Sequence, residues 1–294
     1  MTNDGGRSAR EPIWLAAAQL PACFGELSYP PAGLWYLGDP ESLQGAPERH
    51  VAIVGTRECS AYGERTAARL AAACAKAGLV VVSGLARGID AAAHRAAIEA
   101  GGQTIAVMGT GADVPYPASH RSLHEAVSRS GAVVSEMEPG MKAFPGCFPR
   151  RNRLIAAMAK VTVVVEAGFK SGAMNTARHA EDLHRDIAAV PGQIDDPRTA
   201  GVNELFRDGA HPITNVEELL GLYGLSTPRD TRQLRALSQM DAALLALIGP
   251  REQDVELLAF QVGLSGRHVA ERLTRLEIDG FVIRGDAGYR LVGR

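Results

Sequence analysis

Residues 144–153 read Phe-Pro-Gly-Cys-Phe-Pro-Arg-Arg-Asn-Arg and lead into an apolar run, Leu154-Ile155-Ala156-Ala157-Met158. Three guanidinium groups and an amide at the start of a helix are chemistry for an anion. Pro149 suits a first helical turn, so the spacing predicts a helix from about Arg150. Backbone N–H groups at a helix start already favour negative charge. From Lys142 to Ala180 there are seven Lys/Arg and one acid, Glu166, on a chain of formal charge −2. A basic segment on a slightly acidic protein points to a polyanion, with a phosphodiester backbone first and a merely solvated face as the alternative. Arg150 and Arg153 share one helical face and Arg151 is rotated away. The first two are therefore assigned to the polyanion and Arg151 to solvent. Asn152 belongs to the same site, bracing the loop rather than reading a base. Phe144 or Phe148 offers a platform for base stacking, Phe144 being expected as the more exposed.

These residues need a scaffold, and the chain supplies one from residue 49 onward. Short apolar runs at 51–54, 79–82, 104–108, around 133–134, 161–165 and 187–190 alternate with helical stretches such as 61–77 and 89–100. Continuous apolar strands alternating with helices predict an α/β fold, a mostly parallel sheet with helices on both faces. In such a sheet ligands bind outside the C-terminal strand ends. Those ends carry Gly55 and Arg57, then Ser83, Gly84 and Arg87, then Gly109 and Gly111, then Lys170, Ser171 and Gly172. Glycines there let backbone N–H groups approach an anion, and Lys170 beside Ser171-Gly172 makes a phosphate cradle. Arg121 is counted with this binding set. Asp90 and Asp113 read as loop and cap residues, and His94 as a packed helix histidine.

Other classes are disfavoured. No G-x-G-x-x-G follows the first strand and no P-loop motif occurs, so no cofactor is expected. No His/Cys/Asp/Glu cluster has metal-ligand spacing. The four cysteines are far apart and read as reduced thiols. No apolar run spans a membrane and residues 1–10 show no secretory signal, so a cytoplasmic protein is expected. Towards the C-terminus, helices over 241–248 and 254–262 and a third capped by Ser265 and stopped by Gly280 precede a hairpin around Gly285-Asp286-Ala287-Gly288. Helix–turn–helix followed by a hairpin is a winged-helix pattern, which docks DNA or protein.

Taken together, the chain resembles the DNA-processing protein A family (DprA/Smf). The resemblance rests on Val51-Ala-Ile-Val-Gly-Thr-Arg57, Ser83-Gly-Leu-Ala-Arg-Gly-Ile-Asp90 and Thr104-Ile-Ala-Val-Met-Gly-Thr-Gly111 with Tyr116-Pro117. It rests also on Ser135-Glu136, Phe148-Pro-Arg-Arg-Asn-Arg-Leu-Ile155, Lys170-Ser-Gly-Ala-Met-Asn-Thr-Ala177 and Val190-Pro-Gly192. It implies a Rossmann-like domain over 49–222, a shortened N-terminal extension over 1–48 without a complete helical domain, a linker over 223–238 and a winged helix over 239–294. It also implies a non-catalytic homodimer that binds and protects single-stranded DNA, with double-stranded DNA open as a second ligand, and that loads a RecA-type recombinase during natural transformation. His120 stands where members often carry Asn. A nucleotide-acting enzyme, phosphoribohydrolase-like, is the alternative for the same crevice. Its Pro-Gly-Gly-x-Gly-Thr-x-x-Glu signature does not occur, and Glu136 and Glu166 are expected to pair with crevice arginines.

Overall fold

Strand β3 (His50–Val54) shows how the sheet is built. All five of its residues are buried, because helices cover both faces. Val51 and Ile53 pack with α1 (Ala61–Lys76) and α2 (Ile89–Glu99). Ala52 and Val54 point the other way, toward α4 (Cys147–Met158) and α5 (Gly172–Asp182). Period-two alternation in a fully apolar run thus feeds two cores, one on each face.

The computed structural model describes residues 11–225, 238–248, 252–278, 281–285 and 287–291. The remaining strands of the first unit are β1 (Ile13–Ala16), β2 (Gly33–Gly38), β4 (Val80–Ser83), β5 (Thr104–Val107), β6 (Ala132–Ser135), β7 (Val161–Val164), β8 (Asp186–Ala189) and β9 (His211–Pro212). They form one sheet in the order β1-β2-β6-β5-β4-β3-β7-β8-β9. From β6 to β9 all neighbours are parallel. The chain winds outward from β3 through β4, β5 and β6, then returns through α4 to β7 on the other side of β3. Strand order therefore reverses between β3 and β7, which is where such folds open a crevice.

Residues 11–48, read from sequence as an extension, enter the sheet itself. β2 pairs antiparallel with β6, Trp35 opposite Ser135, and β1 pairs with β2. Helix α3 (Arg121–Ser130), α6 (Ala200–Leu205) and α7 (Val216–Gly221) complete the unit. Caps agree with local chemistry. Ser60 accepts from Gly63 N–H at the start of α1, and Asn215 accepts from Glu218 N–H at the start of α7.

A second unit contains α8 (Gln239–Leu247), α9 (Val255–Val262), α10 (Gly266–Ile278) and the antiparallel pair β10 (Val282–Arg284) and β11 (Tyr289–Leu291). Leu244, Leu258, Val269, Leu273, Val282 and Tyr289 form its core. Asp254 caps α9 and Gly263, at φ +68°, ends it. Three helices followed by a hairpin are the winged-helix arrangement. Gly280, Asp286 and linker residues 226–237 lie outside the described residues, as do residues 1–10.

Candidate nucleic-acid interface

At the reversal point lies a cleft of about 800 Å³. Its rim comes from the loop after β3 (Gly55, Thr56, Arg57) and the loop after β7 (Gly168 to Gly172), and α4 contributes Phe148, Arg151 and Asn152. Arg87 and Arg198 also line it. Arg57, Arg87, Lys170 and Arg198 are all exposed. The guanidinium of Arg57 sits over the Phe148 ring, 5.3 Å from its centroid, and that ring stands 5.1 Å from Tyr116. Cation and aromatic pair thus stand together at the edge of the cleft, an arrangement suited to stacking beside a charge. A smaller pocket of about 250 Å³ beside the cleft is lined by Arg57, Arg87, Tyr116 and Phe148.

The β7–α5 loop leads directly into a capped helix. Ser171 caps α5, its hydroxyl accepting from Ala173 N–H. A Cβ built on Gly172 meets nothing within 4 Å, so this helix start faces open space with Lys170 beside it. The equivalent start of α1 is taken. Glu166, 1% exposed, accepts from Ser60 N–H at 2.9 Å and from the Ser60 hydroxyl. A carboxylate therefore occupies the helix start at which a dinucleotide fold seats its pyrophosphate. The hydrogen-bond partner of Glu166 is Ser60 rather than an arginine, while the crevice arginine Arg198 feels its charge without an ion pair.

Arg151 reverses its assignment. It is 7% exposed and donates to the carbonyls of Gly84 and Val107 and to Asn152 Oδ1. Burial pushes its pKa down to about 10, although the nearby charge of Asp90 opposes the shift. Burial likewise raises the Asp90 carboxyl, against the charge of Arg151 and the N–H groups of Ala86 and Gly84. Helix α4 begins at Cys147, one turn earlier than Pro149 suggests, with Gly146 as its cap. Arg150 and Arg153 do share a face, but Glu136 at the end of β6 shares it with them. Arg153 donates to Glu136 Oε1 at 2.6 Å with its side chain 10% exposed, and Arg150 Nε stands 3.6 Å from the other oxygen. Neither arginine is among the residues lining the cleft.

Further members of the expected set turn inward. Ser83 is fully buried and donates to the Ile53 carbonyl at 2.6 Å. Gly84 makes room for Arg151, since a Cβ there would lie 2.4 Å from the guanidinium. Gly109 and Gly111 are buried, the first against Phe148 and the second against the Glu138 carbonyl. Asn152 braces the loop, donating to the Gly172 carbonyl and to Asn175. Arg121 and Phe144 are exposed but line neither the cleft nor the smaller pocket. His120 is buried and its Nδ1 contacts the Leu85 carbonyl at 3.0 Å. Asp90 and Asp113 are loop braces, accepting from Gly84 and Gly140 N–H respectively.

Arg198 is the cation that sequence reasoning missed. It follows Pro191-Gly192 in the loop after β8, another strand end, and its neighbour Asp196 pairs with it at 2.7 Å. Position at a strand end was the available signal. The adjacent acids hid it.

The chain also matches known proteins over most of its length. The family model for DNA recombination-mediator protein A matches residues 11–224. A putative DNA processing protein DprA of Mycobacterium tuberculosis is 40% identical over 269 residues, covering 89% of this chain and 69% of the relative. The X-ray structure of DNA processing protein A from Streptococcus pneumoniae superimposes with a TM-score of 0.68 at 36% identity, over 72% of this chain and 75% of that one. DNA processing protein A from Helicobacter pylori, whose structure bears on its single-stranded DNA binding mode, gives a TM-score of 0.66 at 31% identity, over 71% of this chain and 94% of that one. With that breadth of match and a cleft at the fold's reversal point, the chain belongs to the DNA recombination-mediator protein A family.

Proposed function

We propose that this protein binds single-stranded DNA in the strand-end cleft with little sequence preference, and hands it to a RecA-type recombinase as a non-catalytic mediator of recombination or natural transformation. The observation that carries the reading is the wall on which Arg57 covers Phe148 while Lys170 stands at the open start of α5. Phosphates meet cations there and a base meets an aromatic face. Low sequence preference follows, because ring stacking accepts every base. The single-strand binding mode of the Helicobacter pylori relative supports the ligand. A homodimer working in the cytoplasm, with the winged helix as a DNA- or protein-docking module, completes the proposal. The domain limits proposed are 49–222 for the DNA-binding unit, with β1 and β2 added to its sheet, and 239–294 for the winged helix.

Fluorescence anisotropy of a labelled single-stranded oligonucleotide across a salt series tests it. Wild type should bind with strong salt dependence and prefer the single strand to its duplex. Arg57→Ala/Lys170→Ala should lower the log–log salt slope by about 1.4, or about 0.7 for each phosphate no longer neutralised. Wild-type binding by that variant would refute the cleft as the DNA site, and hydrolysis of nucleotides would then be the activity to assay.

A further inference from the structure

A second groove, of about 400 Å³, lies between α1 and the segment after β9. Tyr62, Arg65 and Arg69 form one wall, Thr214 and Asn215 the other. The spacing 62, 65, 69 puts the three α1 residues on one helical face. Tyr62 is 47% exposed, and its hydroxyl donates to the Pro191 carbonyl at 3.4 Å. Pro191 opens the loop after β8, and the same loop carries Arg198 into the cleft. On the other side, Arg57 of the cleft lies five residues before Tyr62 in the chain. Two short segments therefore connect groove and cleft.

Among the described residues the charges in this groove have no ion-pair partner. Arg65 and Arg69 stand four residues apart, where like charges weaken a helix. Among the described residues neither guanidinium has a hydrogen-bond or ion-pair partner. No carboxylate is among the groove's lining residues. The nearby Glu218 is drawn onto its own loop, accepting from Thr214 N–H at 2.6 Å and from Asn215 Nδ2 at 2.9 Å. Several exposed arginines elsewhere do have acidic partners, as in Arg129 with Glu125, Arg207 with Glu204 and Arg267 with Glu271. An unpaired arginine couple beside an exposed tyrosine ring is suited to successive phosphates and a base.

We propose that this groove is a second single-strand subsite, in which Arg65 and Arg69 hold phosphates of the strand that leaves the cleft across the end of β8, and Tyr62 stacks a base. The proposal rests on the cleft being the primary single-strand site. The test uses the full chain and two labelled oligothymidylates, one of about 6 nucleotides, within the span of a single site, and one several times longer. Arg65→Gln/Arg69→Gln should bind the short strand as wild type does. It should bind the long one about tenfold more weakly, with a salt slope lower by about 1.4. Arg65→Lys/Arg69→Lys should restore the slope, and thermal melts should be unchanged for both. Wild-type affinity and slope of the Gln variant on the long strand would overturn the subsite. So would equal losses on both lengths, which would make the arginines part of one general field. If wild type bound neither oligonucleotide, the cleft reading would fall first and the groove with it.

Discussion

The guanidinium of Arg151 donates to the Gly84 carbonyl at 2.9 Å, joining α4 to the loop after β4 beneath the cleft. The most basic stretch of the chain thereby uses one of its arginines as an internal strut. Asp90 completes the strut from below, accepting from Gly84 and Ala86 N–H at 3.1 and 3.4 Å. Arg57 and Lys170 are exposed at the rim, where among the described residues no hydrogen bond or ion pair draws them inward.

Arg151→Met should destabilise the fold by about 1–3 kcal/mol, since it removes the buried donor to the Gly84 and Val107 carbonyls. Arg150→Ala, next to it in sequence but exposed, should change stability by no more than about 0.5 kcal/mol. Urea unfolding of the two variants decides the matter. Equal midpoints would mean that the strut adds nothing to stability.

Two glycines expected to serve the same site should part company. Gly84→Ala places a methyl group 2.4 Å from the Arg151 guanidinium, an overpacking that costs about 1–3 kcal/mol. Gly172→Ala meets open space and should be neutral or stabilising by up to about 1 kcal/mol, because alanine is the better helix residue. Thermal melts of both single variants are the check, and a destabilised Gly172→Ala would show that the α5 start is more crowded than it stands here.

Phe148 and Phe144 are separable in the same way. Phe148→Ala should weaken single-strand binding by about 1–3 kcal/mol while leaving the salt slope intact, since stacking releases no counterions. Phe144→Ala should bind as wild type, because Phe144 does not line the cleft. Anisotropy at two salt concentrations reads both effects, and the opposite ranking would move the aromatic platform to the loop before α4.

His94 should stay neutral well into acid. Its Nδ1 lies 2.7 Å from Thr104 Oγ1, which donates its own proton to the Val81 carbonyl, so Nδ1 carries the hydrogen. Nε2 is left buried with no hydrogen-bond partner among the described residues. Burial, helped by the charge of Arg151, lowers the pKa to about 3. Between that value and the ordinary 6.5 the unfolded chain binds a proton that the folded chain refuses. Stability is then complete above pH 6.5 and falls as pH drops through the window, by up to about 1.4 kcal/mol per unit. Burial lowers His50 and His124 in the same direction, so they add to the loss. NMR titration of the imidazole signals tests this, and a His94 signal titrating near 6.5 in the folded protein would rule it out.

Much of this architecture is legible in order and type of element. The runs at 51–54 and 161–165 announce buried parallel strands, and both border the cleft. Loops ending in Gly55-Thr56-Arg57 and Lys170-Ser171-Gly172 place a binding site at strand ends, which is where the cleft opens. β1 and β2 escape notice because Pro and Ala interrupt any simple period around them. Helix α3 escapes because its only buried apolar residues are Leu123 and Val127. The shared face of Arg150 and Arg153 is correct helical geometry; what stands opposite that face is invisible from within the helix.

Strand and helix identity, strand-end loops and the basic segment all depend on periodicity and conformational preference within a few residues, so the sequence contains them. Which cations remain free for a polyanion depends on partners brought close by packing. Glu136 captures Arg153 from 17 residues away, Gly84 engages Arg151 across 67, and Glu166 fills the start of α1 across 106. Burial and charge pairing act through space between packed elements. Only after the sheet has assembled do Arg57, Arg87, Lys170 and Arg198 stand together at one rim while Arg151 and Arg153 are buried by their partners.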